Sequence, residues 1–90
     1  MIEDYIRPGA QNAITGKELA KKFGCNIRII TAQIEKARRS GIPICANANG
    51  YYLAETQKDI EIYTSSLKGR AIELFKTRKA LLEAGEDLPQ

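Results

Sequence analysis

Residues 26–40 place basic and hydrogen-bonding side chains along one side of a predicted helix. At about 100° per residue, the outward positions are Arg28, Ala32, Glu35 and Arg39, flanked by Thr31 and Lys36. Residues 17–41 hold seven basic and two acidic residues, a net charge of +5. Guanidinium and ammonium groups bind anions, and a guanidinium also makes paired hydrogen bonds to the edge of guanine. The pattern predicts a surface for a polyanion, although an ordinary solvated helix face would look similar.

The opposite side of this helix is apolar. Ile30, Ile34 and Ala37 recur at intervals of four and three residues, as expected where a helix packs on a core. Asn26 is a suitable N-cap, and Gly41 follows the last turn. We therefore expect one side of the helix to be buried and the basic side to be free.

A shorter helix is predicted immediately before it, over residues 16–23. Thr15 and Glu18 have the spacing of a capping box, in which the glutamate carboxylate reaches back to the backbone of the cap residue. Its apolar side ends at Phe23, and Gly24 supplies the left-handed conformation in which many helices end. Two short helices joined by a tight turn are predicted.

Residues 42–54 predict a β-hairpin with strands at 43–46 and 51–54. Asn49-Gly50 is a dipeptide that tolerates positive φ at both turn positions. Alternation along the strands sends successive side chains to opposite faces. We expect Ile44 and Leu53 to face the core, and the side chains outside or at the tip to be Asn47, Asn49 and Tyr52.

The tail predicts one helix of about 28 residues and about 42 Å. Thr56 and Asp59 have capping spacing, no proline occurs from Gln57 to Ala84, and Gly69 is a position where a bend is conceivable. Its apolar side chains, spaced largely by seven, are candidates for self-association: Ile60, Leu67, Leu74, Leu81, Ile72 and Phe75. The helix could fold back on its own domain, but it is too long for a domain of about 55 residues to cover. A homo-oligomer, a dimer or larger, is therefore favoured.

Composition narrows the function classes. The chain has 90 residues, a net charge of +3, no histidine and two cysteines. Cys25 and Cys45 suit a reduced, cytosolic protein, and we expect both to be structural. Neither a signal peptide nor an apolar run of bilayer length is recognised in the sequence. We expect no metal, cofactor, small-molecule ligand, membrane contact or enzymatic activity.

The order of predicted elements resembles the winged helix-turn-helix family, in particular the N-terminal DNA-binding domain of the biotin repressor. The residues that carry the resemblance are Ile14-Thr15, Glu18-Leu19-Ala20, Phe23-Gly24-Cys25-Asn26, Ile30, Ile34, Gly41-Ile42-Pro43-Ile44 and Gly50-Tyr51-Tyr52-Leu53. The resemblance covers residues 1–55 and implies a mainly α fold with a small β-hairpin, followed by a long C-terminal helix over 56–90. With this tail, the chain looks similar to small proteins of bacteriophages and prophages.

In that family the helix after the turn reads the major groove of double-stranded DNA, and the hairpin touches backbone or minor groove. Carried over by position, the implied DNA contacts are Asn26, Arg28, Thr31, Ala32, Glu35, Lys36 and Arg39, with Lys17 and Lys21 on phosphates and Asn47, Asn49 and Tyr52 in the hairpin. Arg28 is the best candidate for reading a base, and Thr31 for a thymine methyl or a phosphate. Ile27 replaces a residue that is usually polar there. The implied function is a sequence-specific phage or bacterial regulator in the host cytoplasm.

A protein–protein module is the alternative. Winged helices also bind proteins, and the apolar tail would suit an assembly component, such as a small-terminase-like phage packaging protein or a morphogenesis protein. Binding that falls steeply with salt would indicate DNA, whereas a scaffold would survive high salt.

Overall fold

Three α-helices and one hairpin make up most of the fold. The computed structural model describes residues 1–86, 88 and 89. Two 3-10 helices (Ile2–Tyr5 and Ala10–Asn12) precede, in chain order, α1 (Gly16–Phe23), α2 (Ile27–Arg39), β1 (Ile44–Asn47), β2 (Gly50–Leu53) and α3 (Gln57–Gly85). The predicted fold class is confirmed. Within the described residues, no helix is long and apolar enough to cross a bilayer.

Local capping fixes the first two helices. The Thr15 hydroxyl accepts a hydrogen bond from the Glu18 amide at 3.0 Å, and the Asn26 side-chain oxygen accepts one from the Ile29 amide at 3.0 Å. Between them, Gly24 has φ of 64°, the left-handed conformation expected of it. The Glu18 carboxylate, however, accepts from the Thr15 hydroxyl rather than from the backbone.

The core lies between α1, α2, the hairpin and the N-terminal segment. Its buried side chains are Ile2, Ile6, Leu19, Ala20, Ile30, Ile34, Ala37 and Ile44. The predicted inner face of α2 is confirmed. Phe23, expected on the apolar side of α1, instead stays 41% exposed and packs edge-on against the Tyr5 ring at 4.6 Å. It sits at the helix end, beyond the reach of the core.

The hairpin is shifted from its predicted position by one residue along each strand. Ile44 pairs with Leu53 in an antiparallel register, and only Gly50 of the tip has positive φ, 123°. The expectation of positive φ at Asn49 is therefore wrong. Because Asn47 pairs with Gly50, the two turn residues are Ala48 and Asn49, and Gly50 is already part of β2. Beside the turn, Ile14 pairs with Tyr51. A Cβ at Gly50 would collide with the Ile14 carbonyl, so the strand needs its glycine there.

The expectation that Tyr52 lies outside is wrong, because the hairpin is covered on both faces. Tyr52 is only 6% exposed and forms a cross-strand pair with the buried Cys45. The Cys45 thiol lies 3.9 Å from the Asp59 carbonyl oxygen, in the first turn of α3. The start of α3 thus covers the face of the hairpin that we expected to be exposed to solvent.

Beyond its first two turns, α3 leaves the body of the protein. Its start is capped as predicted, with the Asp59 carboxylate accepting from the Glu55 and Thr56 amides at 2.8 and 3.3 Å. The helix runs unbroken through Gly69, and no residue within it is buried. The longest dimension of the molecule is accordingly 51 Å.

Candidate nucleic-acid interface

None of the described residues covers the outer side of α2. The sequence-predicted residues that are exposed there are Arg28, Thr31, Ala32, Glu35, Lys36 and Arg39. The opposite side holds Ile30 and Ile34, each 1% exposed. Burial of that side fixes the rotation of the helix, and the basic side consequently faces outward.

Asn26 and Glu35, both on this side, already have partners within the protein. The Asn26 side-chain oxygen caps α2, which leaves its amide NH₂ for another partner. Glu35 forms a 2.9 Å ion pair with Arg38. This pairing partly offsets a negative charge that would otherwise repel phosphates.

The start of α1 lies beside the start of α2. A Cβ at Gly16 would stand 3.6 Å from the Tyr51 ring and 3.8 Å from an Ile27 methyl, so both helix starts meet near the hairpin. Lys17 follows directly and is exposed, as is Lys21 one turn later. The two lysines predicted to contact phosphates therefore lie exposed on α1, the helix that precedes α2.

The hairpin exposes fewer free polar side chains than we expected. Asn47 and Asn49 are exposed at the tip, but the Asn47 side-chain oxygen accepts from the Asn49 amide at 2.8 Å and its NH₂ donates to the Ala10 carbonyl at 3.4 Å. The Asn49 side chain, unlike that of Asn47, makes no hydrogen bond to the described residues. Tyr52 is excluded from this surface by its burial against α3.

Sequence reasoning missed Arg38, which lies at the inner flank of α2. Its Nε donates to the Ile44 carbonyl and its Nη2 to the Tyr63 hydroxyl, both at 2.9 Å. The guanidinium also lies 5.1 Å from the centre of the Tyr63 ring. A signal was present in the sequence, because Ile30, Ile34 and Arg38 recur every four residues and so share a side.

The two buried titratable side chains of the hairpin stay neutral at ordinary pH. Burial raises the pKa of the Cys45 thiol, and the Asp59 carboxylate adds to the rise, while Arg38 acts in the opposite direction. Burial likewise raises the pKa of Tyr52. Among the described residues, no three side chains of His, Cys, Asp or Glu are grouped as a metal site would require. The hairpin face under α3 is therefore a packing surface.

Comparison with known proteins agrees with this geometry. The family model for the HTH domain matches residues 9–52, which span α1, the turn, α2 and nearly all of the hairpin. No curated protein and no solved structure matches the chain. Two helices joined at Gly24 and followed by an antiparallel hairpin make this segment a winged helix-turn-helix domain. The match and the fold together identify residues 9–52 as a helix-turn-helix domain of the DNA-binding kind.

Proposed function

We propose that the protein is a sequence-specific, double-stranded DNA-binding regulator of phage or bacterial origin that acts in the bacterial cytoplasm. The outer side of α2 would enter the major groove. One observation carries this proposal: Arg28, Lys36 and Arg39 are exposed on the helix side opposite the buried Ile30 and Ile34. A helix whose apolar side packs on the core and whose cationic side is exposed suits the width and charge of that groove.

Each cation has a part in the proposed complex. Arg28 lies in the first turn of α2, the end that usually approaches the bases, and would donate two hydrogen bonds to guanine. Lys36 and Arg39, further along the same side, would meet phosphates together with Lys17 and Lys21 on α1. Phosphate contacts fix the position of the protein, whereas the base contact selects sequence.

Self-association through α3 is part of the proposal. Residues 1–55 would bind DNA and residues 56–90 would join copies of the chain. Ile60 and Tyr63 are half-buried where the helix leaves the body, and the same side continues outward with Leu67, Leu74 and Leu81, which are 41–70% exposed. An isolated helix is marginally stable in water, and exposed apolar stripes of this length usually mark an interface. A second copy of the same stripe would cover these leucines.

The DNA-binding proposal is tested by salt-dependent affinity. With a duplex enriched from a random 25-base-pair pool, the logarithm of the binding constant should fall linearly with the logarithm of salt concentration. Lys36→Ala should reduce the magnitude of that slope by about one. Arg28→Ala should cost about 1–3 kcal/mol and relax sequence preference at one position. Lys79→Ala, which removes a cation from the far part of α3, is the matched control and should change neither.

The second candidate is an assembly module, such as a phage packaging or morphogenesis component. The uncovered apolar residues of α3 favour it. It predicts association that persists at high salt and is indifferent to Arg28→Ala. A pool from which nothing is enriched, with oligomers intact in 1 M salt, would replace the DNA-binding proposal by this one.

A further inference from the structure

The first turn of α2 carries an apolar strip on its exposed side. Ile27, the first residue of the helix, is 52% exposed, and Thr31 is exposed one turn later. Residues four apart lie one above the other on a helix surface. The strip adjoins Arg28, so it belongs to the surface proposed to face the bases.

The Thr31 side chain is turned in a definite direction. Its hydroxyl donates to the Ile27 carbonyl at 3.1 Å, within the helix. With its one hydroxyl hydrogen used inside the helix, the exposed threonine offers an outside partner its methyl group and an oxygen lone pair. This arrangement disfavours a phosphate contact through the hydroxyl and lengthens the apolar strip begun by Ile27.

The surroundings keep the strip open. Ile27 lies against the start of α1, where Gly16 has no side chain to cover it. Glycine at this place leaves the corner between the two helix starts and the hairpin accessible. In a DNA complex, the neighbour of the exposed half of Ile27 would be the edge of a base pair.

We infer that the Thr31 methyl and the Ile27 side chain recognise the C5-methyl groups of thymines in the DNA major groove. The inference rests on the proposed DNA-binding function. Among the four bases, only thymine presents a methyl group in that groove. Arg28 would then specify a guanine beside one or two thymines. The protein would recognise the half-site by hydrogen bonds to the guanine and by apolar contacts with the thymine methyl groups.

Replacing thymine by deoxyuridine tests this inference, because it removes the methyl group and keeps every hydrogen-bonding atom. The probe is the duplex enriched from the random pool, with each thymine replaced in turn. At one or two positions the wild-type protein should bind about four-fold more weakly, as expected for the loss of one buried methyl-sized group. Replacement at other thymines should have no effect.

Two substitutions of Thr31 separate its methyl from its hydroxyl. Thr31→Val keeps a methyl and should retain the thymine preference, whereas Thr31→Ser keeps the hydroxyl and should abolish it at one position. Ile27→Ala should abolish the preference at the neighbouring position. Lys79→Ala, a change on the far part of α3, is the control and should leave the ratio of thymine to deoxyuridine affinities unchanged.

The outcomes distinguish the inference from the function on which it rests. Salt-dependent binding that is equal for the thymine and deoxyuridine duplexes would overturn the inference and leave DNA binding in place. Loss of the preference in Thr31→Val but not in Thr31→Ser would overturn it too, because the hydroxyl would then be the reading group. Absence of any enriched duplex would overturn the proposed function and the inference together.

Discussion

Arg38 joins three parts of the fold through one guanidinium group. It leaves α2, reaches the Ile44 carbonyl at the start of β1, and contacts Tyr63 of α3 by a hydrogen bond and through the ring. Its side chain is only 22% exposed, so these contacts form in a partly desolvated place. Hydrogen bonds to a charged donor are stronger than neutral ones. Arg38 therefore sets the position of the first turns of α3 relative to α2.

Removing this arginine should destabilise the protein. Arg38→Ala leaves the Ile44 carbonyl and the Tyr63 hydroxyl without their hydrogen-bond donor, and we expect the free energy of unfolding to fall by about 1–3 kcal/mol. Tyr63→Phe removes one hydrogen bond and should cost about 1 kcal/mol. Urea denaturation measures both.

Arg39→Ala is the matched control for that experiment, because it deletes the adjacent, fully outward arginine. Its effect on unfolding should stay within about 0.5 kcal/mol. Equal effects of Arg38→Ala and Arg39→Ala would contradict the role assigned to Arg38.

Single residues show where sequence reasoning reaches its limit. The outward position of Arg28 follows from helix geometry alone, since Ile30 and Ile34 fix the buried side. The positions of Tyr52 and Arg38 do not follow, because α3, which lies far along the chain, buries Tyr52 and partly covers Arg38. Alternation within a strand tells which residues share a face, but it does not tell that a later helix covers the second face.

At the level of elements, α3 combines an unbroken helix with an unfavourable residue near its middle. Among the described residues, no atom outside the adjoining backbone of α3 lies within 4 Å of where a Cβ at Gly69 would stand, so an alanine there would meet no obstacle. Capping at Thr56 and Asp59 and the absence of proline predicted the helix, because these are local signals. The continuity of the helix through Gly69 could not be predicted, since glycine costs helix stability without forbidding the helical conformation.

Gly69→Ala should stabilise the outer part of α3. Alanine favours the helix over glycine by about 1 kcal/mol, so amide hydrogen exchange near residue 69 should slow by about five-fold. Ala71→Gly, two residues away, should accelerate exchange by a similar factor. If Gly69→Ala instead speeds exchange while weakening self-association, the glycine is needed for close approach of a second helix.

The whole molecule consists of a small body and a helix that extends away from it. The body would supply the groove contact, and α3 would decide how many such bodies act together. The order of elements could be predicted from the sequence, because each begins or ends at a capping residue or a glycine. The partner of the apolar stripe of α3 could not be predicted. Thr77 and Arg78 follow Leu74 by three and four residues, so the heptad pattern is interrupted and defines no single packing geometry.

Joining two copies of the protein through α3 should raise the affinity for DNA without changing the contacts that each copy makes with the DNA. If α3 joins two copies, the second recognition helix binds at a high effective concentration, and half-sites about 34 Å apart would be occupied together. The double variant Leu74→Glu, Leu81→Glu places charges in the exposed stripe, and it should sediment as a monomer and protect one half-site. Ile62→Glu is the matched control: Ile62 is 60% exposed but lies on another side of α3, so this variant should remain oligomeric and protect both. A wild-type protein that sediments as a monomer while protecting two half-sites would separate the tail from DNA binding altogether.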